Sequence, residues 1–440
     1  MDRVFSDAQR LQCMLDFEAA LAAAEARVGV IPHTSVAAIK DQCRAERFDA
    51  TDLAQKAGLA GNLAIPMVKR LIELVATQDA VAARYVHWGS TSQDVIDTGI
   101  VLQLRDGISI LNRDLSRISA RLTELITKYR STPVVARTWM QHAVPTVLGL
   151  KFAGWLDALL RHRDRLRELR RRVLVLQFGG AAGTLATLGD QGRTVSAALA
   201  NELGLDLPAL AWHSHRDRIA EVGSLLALLT GTFGKIARDI SLGMQTEIAE
   251  LAEPSGEGRG GSSTMPHKRN PVACSVVLSA ATRMPALAST LFSAMVQEHE
   301  RGLGGWQAEW ETLPAMFRLT GGALHHTDGL LDGLSIDPEA MSRNLDCTQG
   351  LIFAEAAMMA LAAKIGRAEA HRTVETAAQL ALSEGRPFRE VLLADHDVTA
   401  HLEPVEIRQL FDPMKYTGVA NEFIDRVLAA SRSWVDEEAR

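Results

Sequence analysis

Cysteine, aromatic residues and alternating β-branched runs are scarce in this chain, and basic residues are in deficit. Of its 440 residues only four are cysteine, at Cys13, Cys43, Cys274 and Cys347. Their separation excludes a CxxC metal or redox motif, and they read as small buried hydrophobes in a reducing compartment. Aromatics make up 5%. With alanine and leucine abundant, that scarcity argues against a sheet-rich fold and for an all-α chain. The net charge of −6 argues against a nucleic-acid binder whose surface is basic overall. An anionic ligand must then be met by a local cluster of Arg and Lys. The stretch MDRVFSDAQRLQCML lacks the uninterrupted apolar core of a signal peptide, and no run approaches a membrane span. The expectation is a cytoplasmic protein with no membrane partner.

What is present is helical periodicity. Within residues 218–251, Ile219, Val222, Leu226, Leu229, Phe233, Ile236 and Ile240 step by alternating threes and fours, the spacing of a bundle seam. A helix of that length spans roughly 50 Å, too long for a compact monomer to bury on all sides. A second long pattern covers 272–299, with Pro285 expected to bend it, and two more fall near 105–130 and 145–177. A helical homo-oligomer is the natural way to bury such seams.

Four polar or Gly-rich breaks interrupt the pattern: HWGSTSQD at 87–94, ARTWMQHAVP at 136–145, FGGAAGTLATLGDQG at 178–192, and GRGGSSTMPHKRNP at 258–271. The first hundred residues carry shorter helical patterns, and after CTQGL at 347–351 the chain returns to short helices, which divides it into a small N-terminal helical domain (1–104), a central long-helix bundle forming the oligomer core (105–350) and a small C-terminal helical domain (351–440). In the last break, glycines give the backbone freedom that a lid needs. Ser262 and Ser263 suit a nucleophile, a base or plain turn formers, and Lys268 and Arg269 suit an anion or the solvent. Asn270 and Pro271 suit an N-cap and the first position of a helix.

The whole string is more specific than its residues. GSSTMPHKRNP resembles the signature of the fumarase/aspartase superfamily, G-S-S-x-M-P-x-K-x-N-P, in seven or more fixed types over eleven positions. HWGSTSQDVIDT is similar to the first substrate-binding segment of that family, and RTWMQHAVP to its second. Order and spacing agree along essentially the whole chain. Within the superfamily, YVHWGSTSQDVIDT, FGGAAGTLATLGDQG, WHSHRDR and QEHERGLGGWQAEW resemble the bacterial 3-carboxy-cis,cis-muconate lactonizing enzymes (cycloisomerases). Adenylosuccinate lyase is the nearest other relative.

The resemblance implies a three-domain, all-α, fumarase/aspartase-like subunit with a long central bundle, a small tricarboxylate substrate, and no cofactor or metal. Active sites would form where segments of different subunits meet. It implies a doubly charged aci-carboxylate intermediate, which needs cations and N–H donors aimed at it. Ser262 is matched to the residue that transfers the proton, with Lys268 as the stabiliser of its weak oxyanion. Thr91, Ser92 and Gln93 from the first segment, Thr138 and Gln141 from the second, and Met265 and Asn270 from the signature are matched to substrate binding. For the three carboxylates, Arg301, Arg137 and Arg216 are candidate cations, with Arg218 the alternative to Arg216. These arginines equally suit helix ends or pairs with Glu298, Glu300 or Asp217, and the sequence leaves both open. His142 and His87 suit structural or substrate-binding roles better than that of an acid, though either is placed to cover part of it.

One departure discriminates among reactions. Where the lyases carry Thr-His, this chain carries Thr138-Trp139. Expelling water or an amine benefits from acid help, whereas a lactone forms from a carboxylate that is already ionised, its conjugate acid having a pKa near 4. Losing the histidine is thus tolerable for a cycloisomerase and awkward for a C–N lyase of the adenylosuccinate type. A non-catalytic helical scaffold is the third alternative, disfavoured by the intact Ser262, Lys268 and Asn270. RHRDRLRELRRR at 161–172 alternates with acids and reads as a solvated helix end. His213 and His215 lack the further ligands of a zinc site, and FGGAAGTLATLG lacks the strand and spacing of a nucleotide loop.

Overall fold

The computed structural model describes every residue except 255–259, 262–264, 266 and 439–440, and the side chains of 435–438 as well are left aside. The chain is helical from end to end: α1 (Asp7–Val28), α2 (Ser35–Gln42), α3 (Ala50–Ala60), α4 (Ala64–Gln78), α5 (Ser92–Lys128), α6 (Leu148–Val173), α7 (Gly192–Leu203), α8 (Asp217–Gly243), α9 (Val272–Ala294), α10 (Gly305–Asp332) and α11 (Pro338–Asp346). Short helices close the chain: α12 (Ala354–Ile365), α13 (Arg367–Glu384), α14 (Phe388–Ala394), α15 (His396–Thr399), α16 (Pro404–Leu410) and α17 (Ala420–Glu438). The all-α expectation holds, with two small additions. β1 (Pro133–Thr138) pairs antiparallel with β2 (Gln141–Val147), and the two-residue strands β3 (Leu251–Ala252) and β4 (Ser335–Ile336) pair likewise.

Two compact units result, each assembled from three stretches: 1–115, 162–231 and 279–325 in one, 116–161, 232–278 and 326–440 in the other. The long helices α5, α6, α8, α9 and α10 contribute residues to both, and residue 104 lies inside α5. Residues 351–440 carry a hydrophobic core of their own around Leu361, Val374, Phe388, Leu392 and Ile407.

The seam of α8 is buried at all seven periodic positions. The helix ends at Gly243, however, not at 251, and α9 ends at Ala294, not at 299. The start of α9 also differs from expectation. Asn270 does not supply the cap. Instead, the Glu253 carboxylate accepts from the backbone N–H groups of Ala273 (3.0 Å) and Cys274 (2.8 Å). A negative charge there also complements the helix dipole.

A further correction concerns the apolar runs. Contrary to expectation, α8 and α9 are long and apolar enough to cross a membrane by length and composition. Glycine, serine and threonine separate their apolar residues where charges would mark a surface. A helix packed on most sides carries the same composition as a membrane span. In α8, 61% of the most apolar window is buried within the chain, against 28% in α9.

Candidate active-site segments

In the first unit, the segment Thr91–Asp94 opens α5 on a capping-box pattern. The Asp94 carboxylate accepts from the Thr91 backbone N–H at 3.1 Å. It also accepts from the N–H groups of Gly179 (3.0 Å) and Gly180 (2.9 Å) and lies 2.7 Å from His213 Nε2. Gly180 has φ +66°, and an added Cβ would lie 3.1 Å from the Gly89 carbonyl. A side chain there is disfavoured on both counts. The FGGAAG break therefore cradles a buried carboxylate of this chain and does not cradle a nucleotide.

One turn on, Asp97 gathers a second buried network. It accepts from Trp306 Nε1 (2.9 Å), Gln93 Nε2 (3.1 Å) and Arg216 Nη1 (2.7 Å). The Nε of Arg216 donates to Glu309 at 2.9 Å. Burial works against the Arg216 charge, but Asp97 and Glu309 outweigh it and hold the guanidinium above its ordinary value. Arg216 has no exposed side-chain surface. The expectation that it binds a substrate carboxylate is corrected: two carboxylates of this chain already occupy it.

Gln93 is also engaged within the chain. It is buried, its amide nitrogen donates to Asp97 and to the His213 carbonyl (2.8 Å), and its oxygen faces Arg301 Nε at 3.3 Å. It therefore orients Arg301, which donates through Nη1 to Thr91 Oγ1 at 2.9 Å. Thr91, Gln93 and Arg301 are thus brought together, though more than 200 residues separate the first two from the third. The glutamates considered as partners of Arg301 do not pair with it among the described residues. Ser92 and His87 line a cavity of about 460 Å³ together with α4.

In the second unit, β1 and β2 form a hairpin. Thr138 pairs with Gln141, which leaves Trp139 and Met140 as a two-residue turn. Both are left-handed, at φ +52° and +66°, the combination of a type I′ turn, where Asn-Gly is usual. The Trp139 side chain is 97% exposed. A register shift between Val135 and Arg137 interrupts strand alternation, as a bulge does when it re-aims a side chain. Arg137 then meets Glu250 in a two-pronged pair, Nη1–Oε2 at 2.9 Å and Nη2–Oε1 at 2.7 Å, with Asn344 Nδ2 adding a third donor at 2.8 Å. Arg137 thus carries a carboxylate partner from its own chain. Burial, reinforced by the Arg137 charge and opposed by Glu250, lowers the His142 pKa. Its Nδ1 is buried without a hydrogen-bond partner among the described residues, so this imidazole is neutral near pH 7.

Thr138 and Gln141 are exposed beside the turn. Arg137, His142, Lys151, Glu250 and Asn344 share a cavity of about 1010 Å³ in this unit. Burial lowers the Lys151 pKa, with Glu250 opposing. In the signature segment, Met265, Lys268 and Asn270 are described, and Lys268 is exposed. Asn270 N–H donates to the Gly260 carbonyl at 2.9 Å, and Gly260 takes φ +65°. Ser262 lies outside the described residues.

The sequence missed Asp94, Asp97, His213, Glu250, Glu309 and Asn344. Each is a partner that holds another residue in place. The only signal available was the Thr-x-x-Asp box at 91–94, which marks a helix start.

Comparison with known proteins agrees with this organisation. The family profile described as "Lyase" matches residues 1–285, and "Adenylosuccinate lyase C-terminus" matches 350–427. The chain is 56% identical over 429 residues to the 3-carboxy-cis,cis-muconate cycloisomerase of Pseudomonas aeruginosa, covering 98% of this chain and 94% of that protein. It is also 56% identical to the enzyme of the same name from Bradyrhizobium diazoefficiens, covering 96% and 94%. The crystal structure of the 3-carboxy-cis,cis-muconate lactonizing enzyme from Pseudomonas putida superposes with a TM-score of 0.95 at 50% identity, covering 99% of this chain and 97% of that one. With the profile and these near full-length matches in agreement, the chain belongs to the fumarase/aspartase superfamily of lyases, in the family of the 3-carboxy-cis,cis-muconate cycloisomerases.

Proposed function

We propose that this chain converts 3-carboxy-cis,cis-muconate to 4-carboxymuconolactone, a step in the protocatechuate branch of aromatic degradation. The observation that carries the reading is the 56% identity along 98% of the chain to the Pseudomonas aeruginosa cycloisomerase. Trp139 at the hairpin tip supports it chemically. In the reaction, a substrate carboxylate oxygen forms the new C–O bond, and the double-bond electrons move toward the neighbouring carboxylate to give the aci-carboxylate. A proton then bonds to the carbon between them. No group leaves, and one proton is taken up as a trianion becomes a dianion. With Trp139 at the tip and a neutral His142 beside it, the second segment offers no acid for expelling an amine, and this chemistry asks for none.

Ser262 delivers the proton, and Lys268 stabilises its alkoxide. Arg301, held by Thr91 and Gln93, binds one carboxylate, with Ser92, Thr138, Gln141, Met265 and Asn270 completing the contacts. Arg137 and Arg216 act as positioning residues. The subunits assemble as a homotetramer in the cytoplasm. The exposed apolar residues Val272, Val276 and Phe292 of α9, with Val296 just beyond its end, support a subunit interface. The test is loss of the diene ultraviolet absorbance on mixing with 3-carboxymuconate. Fumarate release from adenylosuccinate without that loss would refute the reading, and silence with both would favour the scaffold. Ser262→Ala should abolish turnover and leave the tetramer intact. Full activity in that variant would place the proton donor elsewhere.

A further inference from the structure

The proposed substrate is a trianion, and two of the arginines expected to meet it are engaged by carboxylates of the chain itself. The first unit holds another group suited to the task. His87 adopts φ +61°, an uncommon and strained backbone for a non-glycine residue, of the kind that persists where a side chain must be aimed. Its Nδ1 lies 2.6 Å from Oε1 of Glu18, a carboxylate with almost no exposure on the buried face of α1. The ring, itself only partly exposed, lines the cavity of about 460 Å³ formed with α4 and Ser92. With Nδ1 committed to Glu18, Nε2 is the nitrogen left for a ligand.

We propose that His87 is a binding cation for one carboxylate of the substrate, and that Glu18 is the positioning residue that keeps its imidazole charged and turned toward the cavity. The proposal rests on the cycloisomerase reading. Of the roles open to His87 from the sequence it takes binding and sets the acid aside, because the reaction expels no group that needs a proton, and it adds Glu18 as the partner that makes binding possible.

The charged groups around the ring support this. Glu18 faces it from α1 and Asp94 from α5, while Lys69 and Glu73 of α4 line the same cavity. Asp94 is already met by His213 and two glycine amides, so Glu18 is the dedicated partner. Burial pulls the imidazole pKa down. The Glu18 charge and hydrogen bond, with Asp94 behind them, outweigh burial and leave it above its ordinary value. A charged imidazole beside Ser92, at the first turn of a long helix, offers a carboxylate both a cation and the positive end of the helix dipole.

The experiment measures kcat and KM for 3-carboxymuconate from pH 6 to 9 in the wild type, Glu18→Gln, Glu18→Asp, His87→Asn and the double variant Glu18→Gln/His87→Asn. In the wild type, KM should rise as His87 loses its proton. In Glu18→Gln that rise should move to lower pH, making KM severalfold higher near pH 7.5, with kcat little changed. Glu18→Asp should restore part of the shift. His87→Asn should show a high KM without this pH dependence, and adding Glu18→Gln to it should change nothing further. A Glu18→Gln profile that overlays the wild type overturns the proposal, as does a fall in kcat at unchanged KM. If Glu18→Gln fails to assemble, a flat KM profile in His87→Asn supports the proposal and an unaltered one overturns it. A wild type inactive toward 3-carboxymuconate overturns the cycloisomerase reading itself.

Discussion

Glu25 lies about two turns beyond Glu18 on the buried face of α1, and neither of its carboxyl oxygens has a hydrogen-bond partner among the described residues. Burial, and then the neighbouring Glu18 charge, push its carboxyl up to about 9, from 4.5 in an open chain. Near neutrality the folded chain therefore holds a neutral acid where the unfolded chain carries a charge. Between those two values the unfolded state binds fewer protons, so stability falls as pH rises. The loss is absent below about 4.5, grows through neutrality and is complete above about 9. At about 1.4 kcal/mol per pH unit, the interval from 4.5 to pH 7 amounts to about 3 kcal/mol. Glu25→Gln keeps the shape and the neutral form, and should recover that amount. A chain of this length unfolds with an entropy of about 0.9 kcal/mol/K, so Tm should rise by about 3–4 °C at pH 7 and by less than about 1 °C at pH 5. Thermal unfolding followed by circular dichroism, at matched scan rate across pH 5 to 8.5, reads the difference. A Tm gap that is constant across pH, or a variant less stable at pH 8, would refute the reasoning.

Two other perturbations follow from the same geometry. Arg216→Met strands Asp97 and Glu309 as buried carboxylates without their cation, and should cost about 3–5 kcal/mol in denaturant unfolding. A weaker KM with unchanged stability would instead make Arg216 a substrate ligand. Replacing the hairpin tip with Trp139→Asn and Met140→Gly matches the residues to a left-handed turn, and should stabilise the fold by about 2 kcal/mol in denaturant unfolding. A loss of stability would show that the tip side chains are needed for folding.

The helical fold was legible because its signal is local. Seven apolar residues of α8 repeat at helical spacing, and all seven are buried. The hairpin was not legible, because its turn carries Trp-Met where Asn-Gly would announce one, and its strands fall in a polar break between helices. The end of α8 was missed since Met244–Leu251 continues the apolar pattern after the backbone has left the helix. The roles of Arg137 and Arg216 were hidden for another reason. Their acidic partners lie about 90 to 120 residues away in sequence, and a one-dimensional pattern cannot separate a buried ion pair from a ligand-binding cation. Thr91, Gln93 and Arg301 converge for a reason the sequence did show, the family wording of their two segments. That Gln93 holds the arginine is visible only from its hydrogen bonds.

Charge accounting then constrains the chemistry. Arg137 is balanced by Glu250, and Arg216 by two carboxylates, so neither can neutralise a ligand without first abandoning a buried partner. Uncovering that partner is the costlier event, because a lone buried carboxylate loses several kcal/mol of solvation. Arg301 differs in kind. Its contacts are the neutral Thr91 hydroxyl and the Gln93 amide oxygen, which orient a guanidinium without cancelling its charge. A carboxylate placed at Arg301 would gain its full attraction, whereas at Arg137 or Arg216 it would have to compete with carboxylates already in place. Affinity for a polycarboxylate should accordingly respond to Arg301→Gln far more than to Arg137→Gln once both variants are folded. Equal losses in KM would mean that Glu250 releases Arg137 when substrate binds.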